Sequence, residues 1–478
     1  MKNTLFKVMV IISFILLIII KSPCSFQDKI KGAWEGTLEI MGQKLEIIVH
    51  FDTLEQELQG SIDIPMQGAK GLKLKNILYD HPKISFELET PQAVAKFEGV
   101  VEEDEIKGDF EQWGVKGTFS LIKSKEQEKT KQEELRTKEL LPYDEEEITF
   151  NNGEIKFSGS LLLPKKKGKH PAVIMITGSG PQNRYEELFG WKIFQDIASH
   201  FTQRGIAVLL YDDRGVGGSS GNVSEATTED FATDALAALR YLQTRTEIKP
   251  QKIGLCGHSE GGIVAPLAAS KSEEVAFIIC ISGTGHSGLE VLLKQSELIA
   301  RAENIPEEKI RENLNQIRTI VSMIKEEKDP ETIKEDLKKI AQTQISSLPE
   351  EQKKEIKDME TFTKNVMEGI YRQYSSRWFK FFLEYDPLPV MEKVKCPVLL
   401  LFGELDLQVP AEWNKEAMVS ALKKGGNKNF KVKIFPKANH LYQEAVTGSP
   451  SEYTKLPKEF VPGFLEFMSD WILEQVED

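Results

Sequence analysis

The chain has 478 residues, a formal net charge of −13 at pH 7 and 40% hydrophobic residues. This length and apolar content are sufficient for two hydrophobic cores. The acidic balance argues against nucleic acid as a partner, because no basic segment interleaved with aromatic residues offsets it.

Residues 1–25 are predicted to form an export signal. Lys2 and Lys7 give a basic start, and an apolar run follows over residues 8–20. This run is shorter than the roughly 20 residues that a membrane span needs, so we expect no stable membrane insertion after the signal is removed. The protein is expected to be exported, and to be periplasmic, extracellular or membrane-associated. Cleavage near Cys24 and retention as an anchor both stay open.

A small all-β domain is predicted over residues 26–123. Short segments with alternating polar and apolar residues follow one another, with Gly, Pro and Asp between them, which is typical of an antiparallel barrel or sandwich. The predicted strands are 34–40, 44–51, 61–64, 72–79, 83–88, 93–101, 105–110 and 117–122. Residues 124–141, rich in Lys, Glu and Gln, are predicted to form a charged linker.

Residues 142–478 are predicted to form an α/β domain. Strand and helix patterns alternate there, which favours an eight-stranded, mostly parallel sheet with helices on its faces. The predicted strands are 146–150, 156–163, 172–177, 207–212, 252–256, 276–281, 397–402 and 430–435. The helical patterns between them are 189–204, 229–244 and 262–270.

The segment Gly257-His258-Ser259-Glu260-Gly261 has the form G-x-S-x-G and lies between a predicted strand and a predicted helix. Strand, tight turn and helix is the context of a nucleophile elbow, so Ser259 is the predicted nucleophile. A serine hydroxyl needs a general base, and the base needs a carboxylate that orients it.

His440 is the predicted base among the seven histidines, because it follows the last predicted strand. Asp406 follows the strand before it and is the predicted acid, with Glu404 as the alternative. The chain order serine, acid, histidine agrees with the order expected after a G-x-S-x-G elbow.

The oxyanion hole is predicted to use two backbone N–H groups. One is that of Glu260, directly after the nucleophile. The other comes from the loop after the strand at 172–177, from Ser179 or alternatively Gly180. This glycine-rich loop lacks the Lys-Ser/Thr pair of a P-loop, so nucleotide binding is not expected.

Gly180, Gln182 and Arg184 are the predicted substrate-binding residues at the rim of the pocket. An arginine there is suited to bind a carboxylate-bearing substrate in a bidentate manner. The alternative for this region is an internal ion pair between Arg214 and a neighbouring aspartate, Asp212 or Asp213.

An insertion over about 286–388 is predicted to form a helical cap above the active site. Its helical patterns are 289–302, 306–326, 329–343 and 350–374. Several aromatic residues lie near the end of this insertion. They are expected either to line an acyl or aryl pocket or to form the core of the cap, and both alternatives stay open. These residues are Tyr371, Tyr374, Trp378, Phe379, Phe381 and Phe382.

A family resemblance is carried by six segments together, which are 177–184, 211–219, 257–262, 403–410, 439–441 and 447–453. With them the chain resembles the α/β-hydrolase superfamily, and more narrowly its bacterial carboxylesterase branch with an N-terminal lipocalin-like β domain. The resemblance implies hydrolysis of a small-molecule carboxylic ester through an acyl-serine intermediate, with no cofactor and no metal. Acyltransferase, thioesterase or peptidase chemistry stays open, as does a non-catalytic binding role of the β domain.

Overall fold

The structure is a computed structural model, and it describes residues 27–40, 43–54, 57–64, 69–89, 94–112, 115–124, 141–326, 329–346, 348, 350–356 and 358–477. The predicted export signal and most of the predicted linker lie outside the described residues. In the described ranges, no helix combines the length and the apolar character that a membrane span requires.

The N-terminal domain is a closed barrel of eight antiparallel strands, in which β1 pairs with both β2 and β8. Aromatic rings fill its interior: Phe86 stacks on Phe97 at 4.7 Å and meets Phe51 and Phe119 edge-on. The barrel alternative is therefore confirmed over the sandwich. The strands are β1 (Gly32–Ile40), β2 (Gln43–Leu54), β3 (Glu57–Ile64), β4 (Ala69–Asp80), β5 (Lys83–Glu89), β6 (Val94–Glu102), β7 (Glu105–Gln112) and β8 (Val115–Lys123).

The second domain contains a mixed sheet of eight strands, in the order β18-β17-β16-β15-β11-β14-β10-β9. The six strands from β18 to β14 run parallel, while β10 and β9 pair antiparallel at one edge. The prediction of an eight-stranded, mostly parallel sheet is confirmed. The strands are β9 (Tyr143–Asn152), β10 (Ile155–Pro164), β11 (His170–Ile176), β12 (Glu187–Leu188), β13 (Trp191–Lys192), β14 (Ala207–Tyr211), β15 (Ile248–His258), β16 (Ile278–Ile281), β17 (Val398–Gly403) and β18 (Phe430–Phe435).

Helices cover both faces of this sheet, and buried apolar side chains form one core on each face. The central strands β11, β14, β16 and β17 are buried at nearly every position, as parallel strands between two helical layers require. The helices are α1 (Gln27–Ile30, before the barrel), α2 (Ile193–Gln203), α3 (Thr228–Gln243), α4 (Gly261–Lys271), α5 (Gly288–Ala302), α6 (Glu307–Lys325), α7 (Pro330–Ser346), α8 (Glu350–Glu355), α9 (Met359–Ser375), α10 (Arg377–Glu384), α11 (Leu388–Met391), α12 (Ala411–Lys424) and α13 (Phe464–Val476).

Helices α5 to α10 form the insertion between β16 and β17. The predicted single helical run over 350–374 is wrong, because the structure divides it into α8 and α9. Asp358 caps α9 by accepting hydrogen bonds from the backbone N–H groups of Glu360 and Thr361. An aspartate at this position favours a new helix start over continuation of the old one.

The barrel contacts both the sheet domain and the cap. Lys73 on β4 donates a hydrogen bond from Nζ to the carbonyl oxygen of Ser219 at 2.9 Å. Val115 on β8 packs in one apolar cluster with Ile345, Ile356 and Phe362 of the cap helices. The barrel therefore lies against both the sheet domain and the cap.

Candidate active site

Ser259 lies at a tight turn between β15 and α4, with a backbone φ of 54°. This left-handed conformation is uncommon for a residue other than glycine and is typical of strained functional turns. The flanking glycines are sterically required: a Cβ on Gly257 would lie 1.9 Å from the carbonyl oxygen of Gly261, and one on Gly261 would lie 2.2 Å from that of Ile176. The local sequence thus produces the geometry of a nucleophile elbow.

Asp406 and His440 form a buried pair at the carboxyl ends of β17 and β18. His440 Nδ1 and Asp406 Oδ2 are 2.8 Å apart, and the two residues are 4% and 2% exposed. The other carboxylate oxygen, Oδ1, accepts the backbone N–H groups of Gln408 and Val409 at 2.9 and 2.8 Å. Asp406 is held by its own loop and in turn orients the imidazole of His440.

Glu404, the alternative acid, points elsewhere. It is exposed, and its Oε2 accepts a hydrogen bond from the backbone N–H of Lys437 at 2.8 Å. The contact with His440 therefore belongs to Asp406.

Ser259 and His440 line one cavity of about 480 Å³ beneath the cap. Ser179, Gln182 and Glu260 line it too, whereas Gly180 and Arg184 do not. Of the aromatic residues considered for its wall, Trp378, Phe379 and Phe382 line the cavity. The remaining three pack elsewhere: Tyr371 and Tyr374 within the cap, and Phe381 on Tyr385.

The loop that carries Ser179 is fixed by hydrogen bonds on both sides. Asp213 accepts from the Thr177 hydroxyl at 2.8 Å and from the Gln182 backbone N–H at 2.9 Å. In the described part of the chain, no acceptor takes the backbone N–H of Ser179 or of Glu260. Both N–H groups are thus free to bind a negatively charged oxygen next to Ser259.

The expectation that Arg184 binds substrate needs correction. Arg184 is 8% exposed, and all five of its side-chain N–H groups are used inside the protein. Their acceptors are Asp212, Glu147, Ser160 and Ser158. Arg184 has no donor left for a substrate carboxylate, so it braces the loop instead.

The expected partner of Arg214 is also wrong. Its guanidinium pairs with Asp234 on α3, at 2.7 Å from Nε to Oδ2, and not with Asp212 or Asp213. Asp212 is already paired with Arg184, and Asp213 already holds the loop of Ser179. The internal ion pair exists, but it joins the loop to a helix.

Sequence reasoning missed a second buried pair, between Glu186 and His258. His258 Nδ1 lies 2.9 Å from Glu186 Oε1, and His258 Nε2 lies 3.0 Å from the carbonyl oxygen of His440. Burial alone lowers the pKa of His258, but the charge and hydrogen bond of Glu186 outweigh it, so the pKa of His258 is raised. His258 is adjacent in sequence to the predicted nucleophile Ser259, which is a local signal, whereas no local signal marks Glu186.

Glu260 links the elbow to the cap. Its Oε1 accepts hydrogen bonds from the Trp378 Nε1 at 2.9 Å and from the Thr228 hydroxyl at 2.7 Å. Burial raises the pKa of the Glu260 carboxyl, although these hydrogen bonds act in the opposite direction. Glu260 is predicted from the sequence to contribute only its backbone N–H to the oxyanion hole. Its side chain also holds the cap against the elbow.

A metal centre finds no support in these side chains. Across the described ranges, no group of three or more His, Cys, Asp and Glu side chains is arranged to hold a metal ion. Cys256, Cys280 and Cys396 are free thiols in buried or half-buried positions.

The model of the family Hydrolase_4, described as serine aminopeptidase, S33, matches residues 190–443, which is more than half of the chain. The chain belongs to this family. The matched region contains Ser259, Asp406 and His440 and the whole cap. The predicted α/β-hydrolase fold is thereby confirmed.

Two curated hydrolases are similar to this member of the family. Esterase EstD of Thermotoga maritima is 28% identical over 316 residues, which cover 66% of this chain and 64% of EstD. Thiohydrolase aneE of Aspergillus aculeatus is 33% identical over 145 residues, which cover 29% of this chain and 43% of aneE. The chain thus spans less than two thirds of the length of either relative.

Among solved structures, an esterase of Pyrococcus furiosus is 17% identical to the chain, with a TM-score of 0.42. The superposition covers 71% of this chain and 93% of that esterase.

Proposed function

We propose that this hydrolase cleaves carboxylic esters through an acyl-serine intermediate, with Ser259 as nucleophile, His440 as general base and Asp406 as the acid that orients it. The observation that carries the proposal is the contact between His440 Nδ1 and Asp406 Oδ2, 2.8 Å apart, together with the cavity that His440 and Ser259 both line. The resemblance to an esterase over two thirds of the chain supports the same reaction class.

In the acylation step, Ser259 Oγ attacks the ester carbonyl carbon and its proton passes to His440 Nε2. The Nδ1–H of the resulting imidazolium donates to Asp406 Oδ2, so the buried carboxylate stabilises the new positive charge. The carbon–oxygen bond to the alcohol then breaks as Nε2 returns the proton to the leaving oxygen.

The tetrahedral oxygen carries the negative charge in this step, and the free N–H groups of Ser179 and Glu260 stabilise it. Water then attacks the acyl-serine in the same way, with His440 taking its proton. The acid leaves and the Ser259 hydroxyl is restored.

The cavity walls favour a neutral ester with an apolar acyl or aryl group. Trp378 and Phe382 stack at 5.2 Å in that wall, and Leu188, Ile263 and Leu292 also line it. No lysine or arginine is found among the described residues of the lining. His258 also lines the cavity, but its two ring nitrogens already face Glu186 and the carbonyl oxygen of His440, so a carboxylate-bearing substrate would lose its hydration without gaining a free cationic donor.

A fluorophosphonate probe and a short p-nitrophenyl ester test the proposal. We expect the probe to label wild-type protein at Ser259, and Ser259→Ala to lose both labelling and ester turnover while keeping its melting temperature. Ser270→Ala is the matched control, since its hydroxyl only contacts the Leu267 carbonyl at the far end of α4. Labelling or turnover of Ser259→Ala at the wild-type level contradicts the proposal.

Peptidase, thioesterase and acyltransferase chemistry remain alternatives that use the same residues. Aminoacyl p-nitroanilides, acyl thioesters, and esters with an added alcohol acceptor distinguish them. The peptidase alternative draws on the family description and the thioester alternative on the similarity to a thiohydrolase. The substrate with the highest kcat/KM decides between the classes.

We also propose that the protein is exported. The support is the basic start and the apolar run within residues 1–25. Cell fractionation, with the mass of the N-terminal peptide, tests this: a cytoplasmic protein that retains residue 1 contradicts it.

A further inference from the structure

Glu186 and His258 form an ion pair directly beneath the proposed catalytic residues. Both are buried, at 1% and 4% exposure, and the ring of His258 lies 4.8 Å from the ring of His440. The polar atoms of the two side chains that contact each other are not available to attack a substrate or to exchange a proton with Ser259. The pair therefore needs a role other than acid–base catalysis.

The two partners of His258 fix its protonation. Nδ1 faces the carboxylate of Glu186 and Nε2 faces the backbone carbonyl of His440. A carbonyl oxygen and a carboxylate both accept hydrogen bonds, so both ring nitrogens must carry a proton. This arrangement favours an imidazolium with Glu186 as its counter-charge, and the charge and hydrogen bond of Glu186 raise the pKa of His258 in the same direction.

One oxygen atom of Glu186 serves two loops. Oε1 accepts from His258 Nδ1 and also from the backbone N–H of Gly178 at 2.8 Å. Gly178 directly precedes Ser179, and a Cβ at Gly178 would lie 2.9 Å from this oxygen and 3.3 Å from the Cβ of Ser259. Glycine at 178 is therefore what allows the carboxylate to approach the loop.

The backbone at Glu186 indicates that this contact is enforced. Its φ of 44° lies in the left-handed region, which costs free energy for a residue with a Cβ and persists only where the surroundings hold it. The oxygen Oε1 thus has two firm donors, whereas Oε2 has no partner among the described residues.

We propose that Glu186 and His258 are positioning residues that set the distance between the loop of the base and the oxyanion loop. The hydrogen bond from His258 Nε2 holds the backbone of His440, and the bond from Gly178 to Glu186 holds the peptide before Ser179. Because both bonds meet in one ion pair, the base and the oxyanion donors move together. This proposal rests on the proposed function of Ser259, His440 and Ser179.

The surroundings make the pair rigid. Ile193, Phe194, Ile281 and Phe464 pack on one side of His258, and both members of the pair also border the cavity of Ser259. The charged groups that face His258 are Glu186 and, farther away, Asp406, and the titratable ring of His440 lies beside it. Because both residues are almost fully buried, exchange of their partners for solvent is costly, which favours retention of the pair's geometry.

Glu186→Gln keeps the shape of the side chain but cannot keep both contacts. If the amide oxygen takes the place of Oε1, His258 becomes a buried cation without a counter-charge or loses one of its two protons. If the amide nitrogen takes that place, it faces the Gly178 N–H as a second donor. We expect kcat and the rate of fluorophosphonate labelling to fall about 10²-fold, with KM nearly unchanged, because a displaced catalytic group slows the chemical step.

His258→Gln and the double variant complete the test. If the two residues act as one unit, the double variant loses no more kcat than either single variant. Asp234→Asn is the matched control, because it also neutralises a buried ion-paired carboxylate, the partner of Arg214, and should lower the melting temperature without lowering kcat. Wild-type kcat in the folded single variants, or losses that multiply in the double variant, would overturn the proposal.

If the variants do not fold, a measurement on the unmodified protein still tests the proposal. In 15N-histidine NMR spectra at pH 8, the His258 ring should have two protonated nitrogens, whereas a free imidazole is neutral at that pH. A neutral His258 ring overturns the ion pair. Absent fluorophosphonate labelling with a cationic His258 would instead overturn the proposed function and leave the pair standing, so the two failures are distinguishable.

Discussion

Asp406→Asn is the substitution that most directly tests how His440 becomes a base. In the native pair, Asp406 Oδ2 accepts the Nδ1 proton of His440, which leaves the lone pair of Nε2 available for the Ser259 proton. In the variant, Oδ1 still accepts the backbone N–H groups of Gln408 and Val409, so the turn is kept. The amide N–H₂ then faces Nδ1 and selects the opposite tautomer, in which Nε2 carries the proton.

The expected loss follows from that tautomer. With Nε2 protonated, His440 cannot take the Ser259 proton, and a triad that loses its acid in this way loses on the order of 10⁴ in kcat. This corresponds to about 5.4 kcal/mol of transition-state stabilisation. Folding should change little, because the replacement is isosteric, keeps the two backbone hydrogen bonds and reverses the direction of the third.

Steady-state hydrolysis of a p-nitrophenyl ester and a thermal melt measure the two quantities. Glu404→Gln is the matched control, since the exposed Glu404 only accepts a hydrogen bond from the Lys437 backbone. We expect its kcat to stay close to that of the wild type. Equal losses in both variants, or a larger loss in Glu404→Gln, would refute the assignment of the acid.

Three further predictions follow from buried groups around the site. Arg184→Met should lower the free energy of unfolding by about 3–5 kcal/mol, because it leaves the buried carboxylate of Asp212 without its ion-pair partner. The preference of the variant between neutral and anionic esters, measured on a panel of substrates, should stay that of the wild type. Trp378→Phe should cost about 1–3 kcal/mol in denaturant unfolding and raise KM, because Glu260 Oε1 loses a cap donor. For His258, the raised folded-state pKa implies a stabilising contribution that is present below its ordinary pKa of about 6.5 and lost as the pH rises through the folded value. The difference in melting temperature between wild type and His258→Gln should therefore shrink with increasing pH, and a difference that grows would contradict the raised pKa.

Ser259, Asp406 and His440 could be predicted from the sequence because each follows a strand with a clear local pattern, buried for β17 and for the end of β15 and alternating for β18. The signal of such a strand is local, and the carboxyl ends of parallel strands meet at one edge of the sheet. Chain order and strand order together therefore identify Asp406 and His440, 34 positions apart, as neighbours, and place Ser259 in the same cavity as His440.

Contacts that depend on loop geometry could not be predicted in this way. Glu186 reaches Gly178 and His258 only because the loop turns back with a left-handed backbone, for which no local pattern exists. The partner of Arg214 was expected among its immediate neighbours, but the structure supplies Asp234 from a helix whose packing is a non-local property. The same limit applies to the N-terminal domain. Its series of short strands is compatible with both a barrel and a sandwich, because closure of the barrel depends on the non-local pairing of β1 with β8.

The two buried carboxyl groups beside Ser259 raise an electrostatic question, because the tetrahedral intermediate is itself negatively charged. An ionised carboxylate without a counter-charge near that oxygen would oppose the reaction. In the proposed ion pair the ring of His258 is the counter-charge of Glu186, and burial raises the pKa of Glu260, which shifts that carboxyl toward its neutral form. Burial also raises the pKa of Asp213, which holds the loop of Ser179. The charge of Asp406 faces the imidazole that becomes positive. The buried acids can thus fasten the loops and the cap around Ser259 without raising the barrier to the proposed reaction.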